Sequence, residues 1–240
     1  MLFRTRKAVL IIHGFLGGTY DQEELANYLE LDNNLDVYRF TLPGHARNLS
    51  KVKYHEWVDK SEEYVKRLIK NNYSDIYLLG HSMGGVIATY LASKYPQVKK
   101  LVLAAPAFNY LGTVEDNVDL KKTLVSSSNI IKTYGTDEII SRFLKLNSAM
   151  IFEFMELVKK YYDYPCDVSC PILILQGNND DVANPSSSRY VYDTVKSKKK
   201  TLIYLDGVTH DVFRSKKDAL VFKAVNKFLN FGYRTGVYYL

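Results

Sequence analysis

The feature that most constrains the fold of this chain is a regular alternation between short apolar segments and longer segments with helical periodicity. The apolar segments mostly lack alternating polar residues, which is typical of parallel strands covered on both faces. They are Ala8–Ile12, Leu35–Phe40, Asp75–Leu79, Lys100–Ala104, Pro171–Gln176 and Thr201–Leu205. The segments with helical spacing are Asp21–Glu30, Glu56–Lys70, Val86–Tyr95, Ser186–Val195 and Lys217–Leu229. This alternation predicts an α/β fold with a doubly wound, mostly parallel sheet of about six strands.

One long segment interrupts the alternation. Residues 107–165 contain no strong strand signal, and they are too many for an ordinary connecting loop. Helical spacing within them predicts helices at Asp137–Leu146 and Ser148–Tyr161. We therefore expect a core domain formed by residues 1–106 and 166–240, with residues 107–165 inserted into it as a helical cap.

The apolar residues of this predicted cap have two interpretations. Most of them are expected to pack the cap onto the core domain. The others are expected to line an apolar substrate pocket, and we assign this role to Phe152 and Met155 together with Phe15.

The motif Gly80-His81-Ser82-Met83-Gly84 is the strongest functional signal in the sequence. It follows a predicted strand directly and precedes a predicted helix, which is the context of a nucleophile elbow. In such a turn the glycines avoid collisions with neighbouring backbone, and the serine hydroxyl is exposed above the sheet. The motif predicts that Ser82 is a catalytic nucleophile.

A nucleophilic serine needs a base and a carboxylate that orients the base. Of the five histidines only His210 follows Ser82 in the chain, in the loop before the last predicted helix. The carboxylate is expected after the strand that ends near Gln176, where the spacing favours Asp180 over its neighbour Asp181. Asp206 is a weaker candidate because it would have to fold back onto a histidine four residues away.

The backbone of two loops is expected to bind the oxyanion of an acyl-transfer reaction. One amide is that of Met83, which directly follows the nucleophile, and the other is that of Phe15, in the loop after the first strand. His13 and His45 are expected to fix their loops rather than to carry protons.

Composition excludes several classes of protein. Hydrophobic residues make up 47% and charged residues 24% of the chain, which argues against disorder. No apolar run is long enough to cross a bilayer, so we expect no integral membrane association. The net charge is +6, but the basic residues are scattered apart from a lysine cluster at residues 196–200. That cluster is expected to be a solvated turn, and no nucleic-acid signature accompanies it.

Three further expectations concern compartment, cofactors and assembly. The apolar run at residues 8–12 is too short for a secretory signal, and the two cysteines, Cys166 and Cys170, are too few for a disulfide scaffold. We therefore expect a cytoplasmic protein with reduced thiols, no metal and no cofactor. The aromatic residues 231–240 are expected to dock either on their own chain or on a second subunit of a homodimer.

Taken together, these motifs resemble the α/β-hydrolase superfamily. The resemblance rests on His13-Gly14-Phe15, Pro43-Gly44-His45, the Ser82 motif, Gly177-x-x-Asp180 and His210, and it covers nearly the whole chain. The chain looks like the compact carboxylesterase and monoacylglycerol-lipase-like branch, which has a small helical cap. It departs from the usual pattern at Gly44-His45-Ala46, where Gly-His-Gly is commoner, and at Val208-Thr209-His210, where Ser-Gly-His is commoner.

The resemblance implies hydrolysis of carboxylic esters through an acyl-enzyme on Ser82. The expected substrates are short- or medium-chain acyl esters, with monoacylglycerols among the candidates. Thioesterases, carbon–carbon bond hydrolases, acyltransferases and perhydrolases use the same scaffold, so these activities stay open as alternatives. A non-catalytic receptor that binds a small ligand in the same pocket is an alternative from another class.

Overall fold

A computed structural model of the chain describes residues 6–32, 35–46, 49–109 and 148–240, and it contains one seven-stranded sheet. All neighbouring strands are parallel, and their spatial order is β2-β1-β3-β4-β5-β6-β7. The strands are β1 Lys7–Ile12, β2 Leu35–Arg39, β3 Asp75–His81, β4 Val98–Ala104, β5 Ile172–Gly177, β6 Lys200–Leu205 and β7 Gly236–Tyr239. The six predicted strands are confirmed, with ends shifted by no more than two residues.

Helices cover both faces of the sheet, because successive residues of a strand point to opposite faces and here both sets are apolar. The helices are α1 Glu23–Glu30, α2 Tyr54–Lys70, α3 Met83–Lys94, α4 Ser148–Tyr161, α5 Pro185–Thr194 and α6 Asp218–Asn230. Helices α2, α3, α4 and α5 share one buried cluster with Leu10 and Leu78. Helices α1 and α6 share the other cluster with Val9 and Leu79. The predicted doubly wound α/β fold is therefore confirmed.

The expected number of strands was too low by one. The aromatic tail of the chain forms β7, which pairs with β6 at the edge of the sheet and places Tyr239 opposite Tyr204. Their rings stack with centroids 5.3 Å apart. The tail thus docks on its own chain. Like β2 at the opposite edge of the sheet, β7 lacks a continuous buried apolar run, because an edge strand has only one neighbour.

Only part of the predicted cap lies within the described residues. The predicted helix Asp137–Leu146 lies outside them, whereas α4 has the predicted bounds. Helix α4 packs against the body through the buried carboxylate of Glu153, which accepts hydrogen bonds from Lys53 Nζ at 2.7 Å and from the amide of Tyr54 at 3.1 Å. The assignment of residues 107–165 to a cap domain stays a prediction.

Two negative findings hold for the part of the chain that the structure describes. No helix there is both long and apolar enough to cross a membrane. No group of three or more histidine, cysteine, aspartate or glutamate side chains there is arranged to hold a metal ion.

Candidate active site

A sharp turn between β3 and α3 places Ser82 at the carboxyl edge of the sheet. Ser82 has φ 53° and ψ −120°, a conformation that non-glycine residues rarely adopt. The turn also needs two glycines, since a Cβ on Gly80 would lie 2.3 Å from the carbonyl oxygen of Gly84. A Cβ on Gly84 would lie 2.2 Å from the carbonyl oxygen of Ile12. This is the strand–turn–helix geometry that the sequence predicts.

Three side chains that are distant in sequence meet above this edge. Nε2 of His210 lies 2.9 Å from Oγ of Ser82, and Nδ1 of His210 lies 2.9 Å from Oδ2 of Asp180. The Asp180 side chain is fully buried, and the His210 side chain is 14% exposed. The structure therefore brings together the three residues that the sequence singles out as nucleophile, base and acid.

The loops that follow β5 and β6 are fastened to each other, which fixes the distance between Asp180 and His210. Asn178 donates from Nδ2 to Asp206 at 2.8 Å and accepts from the amide of Gly207 at 2.9 Å. Asp206 is thus bonded to Asn178 rather than to His210. The role of Asn178 could not be read from the sequence, because it depends on how the two loops meet.

The Asp180–His210 pair is electrostatically coupled. Burial alone would raise the pKa of Asp180, but the charge and hydrogen bond of His210 and the amides of Val182 and Ala183 hold that pKa below its usual value. Burial alone would lower the pKa of His210, but the charge and hydrogen bond of Asp180 raise that pKa above its usual value. Asp181, the competing candidate for the acid, is exposed.

Three other buried histidines bond to backbone groups and not to Ser82. His13 Nδ1 donates to the carbonyl oxygen of Gly14 at 2.8 Å, and its Nε2 accepts from the amide of Leu42 at 2.9 Å. His45 Nδ1 donates to the carbonyl oxygen of Pro43 at 2.9 Å. His13 and His45 thus fix their loops, as predicted. Burial lowers the pKa of His13 to about 3 and that of His45 to about 4.

His81, inside the nucleophile motif, is the third of these histidines, and the sequence analysis gave it no role. Its Nε2 donates to the carbonyl oxygen of His210 at 3.1 Å, so it fastens the loop of His210 to the end of β3. Burial lowers the pKa of His81 to about 4, which keeps the ring neutral.

The loop after β1 lies directly against Ser82. A Cβ on Gly14 would be 3.1 Å from the Cβ of Ser82. Within the described residues, the amides of Phe15 and Met83 have no hydrogen-bond acceptor. Met83 is also the first residue of α3, so the positive end of the helix dipole faces the site. These two amides are available to an anionic oxygen.

Aromatic side chains form an apolar wall beside this loop. Phe15 stacks on Phe154 of α4 with ring centroids 5.2 Å apart. The rings of Phe15 and Trp57 are T-shaped to each other, with centroids 6.2 Å apart. Met155 is partly buried in a small cluster that also contains Phe15. Phe152, by contrast, is 57% exposed and has no ring contact with Phe15. The sequence analysis did not assign Phe154 to the pocket, because helical spacing does not show which residues of α4 face the site.

The strand order, the Ser82 turn and the placement of Asp180 and His210 after later strands define an α/β-hydrolase. Residues 4–217 match the family model Hydrolase_4, described as serine aminopeptidase, S33, and the chain belongs to this family. The resemblance noted from the motifs is thereby confirmed.

Relatives and solved structures agree with this family. The thermostable monoacylglycerol lipase of Bacillus sp. (strain H-257) is 24% identical over 207 residues, which cover 84% of this chain and 82% of the relative. The carboxylesterase of Bacillus subtilis is 23% identical over 231 residues, which cover 93% and 92%. The crystal structure of Paleococcus ferrophilus monoacylglycerol lipase superposes with a TM-score of 0.72 at 20% identity, covering 92% of this chain and 93% of that one.

Proposed function

We propose that this protein is a serine hydrolase that cleaves carboxylic esters through an acyl-enzyme on Ser82. The observation that carries the proposal is the continuous hydrogen-bond chain from Ser82 Oγ through His210 to Asp180, with both distances at 2.9 Å. Relatives that share the fold over most of their length are named as monoacylglycerol lipases and carboxylesterases.

In the first step, Ser82 Oγ attacks the ester carbonyl carbon while His210 Nε2 takes the hydroxyl proton. Asp180 holds the Nδ1 proton of His210 and stabilises the imidazolium that forms. The amides of Phe15 and Met83 receive the oxyanion. His210 then gives its proton to the leaving alcohol, and the acyl group stays on Ser82.

In the second step, a water molecule attacks the acyl carbon while His210 takes one of its protons. The tetrahedral intermediate collapses, the carboxylic acid is released, and His210 returns the proton to Ser82 Oγ. The reaction needs no group beyond these side chains, two amides and water.

The substrate is proposed to be an ester with a short- or medium-chain acyl group, and monoacylglycerols are included. The apolar wall of Phe15, Phe154 and Met155 supports this choice, since an apolar surface beside the nucleophile favours an acyl chain over a charged group. A series of p-nitrophenyl esters from acetate to dodecanoate tests it. We expect kcat/KM to rise with chain length beyond acetate, and a flat series would reject the acyl-chain preference.

The catalytic role of Ser82 is tested with a fluorophosphonate probe and the variant Ser82→Ala. The wild-type protein should be labelled at Ser82, and Ser82→Ala should lose about 10⁴-fold or more of the turnover while keeping the fold. Esters, thioesters and aminoacyl amides should be assayed in parallel to separate an esterase from a thioesterase or an aminopeptidase. An unlabelled wild-type protein with no turnover would instead support a ligand-binding protein.

Two finer proposals concern assembly and compartment. A homodimer is supported by the position of β7 at the edge of the sheet and by the exposure of Phe231 and Tyr239, at 88% and 76%. Sedimentation of the wild type and of Tyr239→Lys tests it, and a monomeric wild type at micromolar concentration would reject it. A cytoplasmic location is supported by the free thiols of Cys166 and Cys170, and it is tested by cell fractionation.

A further inference from the structure

Gln176, the penultimate residue of β5, touches the buried carboxylate of Asp180. Its Nε2 donates to Oδ2 of Asp180 at 3.0 Å, which is the oxygen that also accepts the hydrogen bond from His210. The other oxygen, Oδ1, accepts from the amides of Val182 and Ala183, both at 2.9 Å. An ionised carboxylate offers about four acceptor positions. All of them are used here, and among the residues that the structure describes Gln176 supplies the only side-chain donor other than His210.

The orientation of the Gln176 amide is fixed by its surroundings. Its Nε2 also faces the carbonyl oxygens of Gly177 and Ala183, at 3.0 and 3.4 Å. A flipped amide would bring Oε1 against three acceptor oxygens. On the opposite side, the hydroxyl of Ser188, on α5, donates to Oε1 at 2.7 Å. Gln176 and Ser188 are both fully buried, so water does not compete for these bonds.

We propose that Gln176, anchored by Ser188, is a positioning residue for the hydrolysis. It holds Oδ2 of Asp180 against His210 and takes up part of the charge of that oxygen. The proposal rests on the function proposed above, because Gln176 acts on Ser82 only through Asp180 and His210.

The charge argument predicts a direction for the pH profile. Without the Gln176 donor, more of the negative charge on Oδ2 acts on His210 and stabilises its imidazolium form. The pKa of His210 then rises, so a higher pH is needed before His210 can accept the proton of Ser82. The acidic limb of the rate profile should therefore move to higher pH.

The other titratable groups around His210 do not change with a substitution at position 176. His81 faces His210 from the end of β3, with ring centroids 5.0 Å apart. Asp211 lies in the same loop as His210 and is paired with Arg214 Nε at 2.7 Å, and Asp181 lies in the loop after β5. The electrostatic effect of these groups on His210 is the same in the wild-type protein and in the variants. A shift of the acidic limb of the rate profile therefore reports the loss of the hydrogen bond from Gln176.

The experiment compares Gln176→Met, Ser188→Ala and the double variant with the wild type. Gln176→Met keeps the length of the side chain but removes the donor. The matched control is Ser197→Ala, which removes a buried serine hydroxyl from the turn before β6. Hydrolysis of a p-nitrophenyl ester and the rate of fluorophosphonate labelling are measured from about pH 5 to about pH 9, the range in which a histidine base titrates.

We expect Gln176→Met to lower kcat about tenfold with KM changed less than about twofold, and to raise the acidic limb by about half a pH unit. Ser188→Ala should also lower kcat and raise the acidic limb, but by less than Gln176→Met does. In the double variant, the loss should equal that of Gln176→Met alone, since Ser188 acts through Gln176. Ser197→Ala should match the wild type.

Three outcomes would overturn the proposal. In the first, Gln176→Met leaves the acidic limb of the rate profile unshifted and lowers the fraction of labelled protein, which means that Gln176 only supports folding. In the second, the loss of kcat in the double variant is the product of the losses in the two single variants. In the third, Ser188→Ala has the pH profile of the wild type, and this outcome decides the matter if Gln176→Met does not fold. A wild-type protein that is neither labelled nor active would instead reject the function proposed above.

Discussion

Phe154 stacks on Phe15 with ring centroids 5.2 Å apart and an angle of 17° between the ring planes. Phe15 belongs to the loop after β1, which lies against Ser82, and Phe154 belongs to α4. The stack therefore joins the helix that forms one side of the apolar wall to the loop whose amide is proposed to bind the oxyanion. A change in the packing of α4 should therefore shift the Phe15 loop and alter the rate of the reaction at the ester carbonyl.

The first prediction concerns this stack. Phe154→Ala should lower kcat/KM for a medium-chain ester by about tenfold, because it removes an aromatic pair and the apolar surface beside the acyl chain. Phe152→Ala changes the same residue type on the same helix at an exposed position. The loss from Phe154→Ala should be the larger one, and the opposite order would favour the assignment of Phe152 to the pocket.

The second prediction concerns the identity of the acid. In Asp180→Asn the side-chain oxygen must keep facing the amides of Val182 and Ala183, because the amide nitrogen cannot accept their hydrogen bonds. That nitrogen then faces Nδ1 of His210 and forces the His210 proton onto Nε2, from which His210 cannot take the proton of Ser82.

We therefore expect Asp180→Asn to lower kcat by about 10³-fold or more. Asp181→Asn is the matched control, since it removes the neighbouring exposed charge, and it should cost less than about tenfold. Steady-state kinetics on one ester, with the labelled fraction measured in parallel, decides between them. A larger loss from Asp181→Asn would show that the acid had been assigned wrongly.

The sequence predicted most of the fold because five of its strands, β1 and β3 to β6, are largely buried on both faces, and burial leaves continuous apolar runs. It did not predict β7, whose residues Gly236–Tyr239 are partly exposed at an edge. Ser82 and His210 were identifiable because a motif and a place in the chain order mark them. Gln176 and Phe154 were not, because their contacts arise only when β5, α4 and the loops meet in three dimensions.

The third prediction concerns stability in acid. His45 has its pKa lowered by burial to about 4, so the unfolded chain binds its proton more readily than the folded chain does. The free energy of unfolding then falls as the pH falls, by about 1.4 kcal/mol per pH unit for this histidine between about pH 6 and about pH 4. The raised pKa of His210 acts in the opposite sense, but it does so equally in the variants compared.

His45→Phe should reduce this dependence, because it removes one of the buried histidines. Pro43 loses the His45 donor but keeps the hydrogen bond from Trp57 Nε1 at 3.0 Å, so its carbonyl oxygen stays paired. His55→Phe, at an exposed position, is the control. Urea unfolding at several pH values measures the slopes. Equal slopes in the two variants would contradict the prediction.

The fourth prediction concerns the attachment of α4 to the body. The carboxylate of Glu153 is buried between Lys53 and the amide of Tyr54, at the first turn of α2. Glu153→Ala leaves that amide without its acceptor and should lower the free energy of unfolding by about 2 kcal/mol. Glu156→Ala, on the same helix, should cost less than about 0.5 kcal/mol. Because α4 also carries Phe154, Glu153→Ala should lower kcat/KM as well. A destabilised variant with unchanged kcat/KM would show that the packing of α4 on α2 does not affect the site.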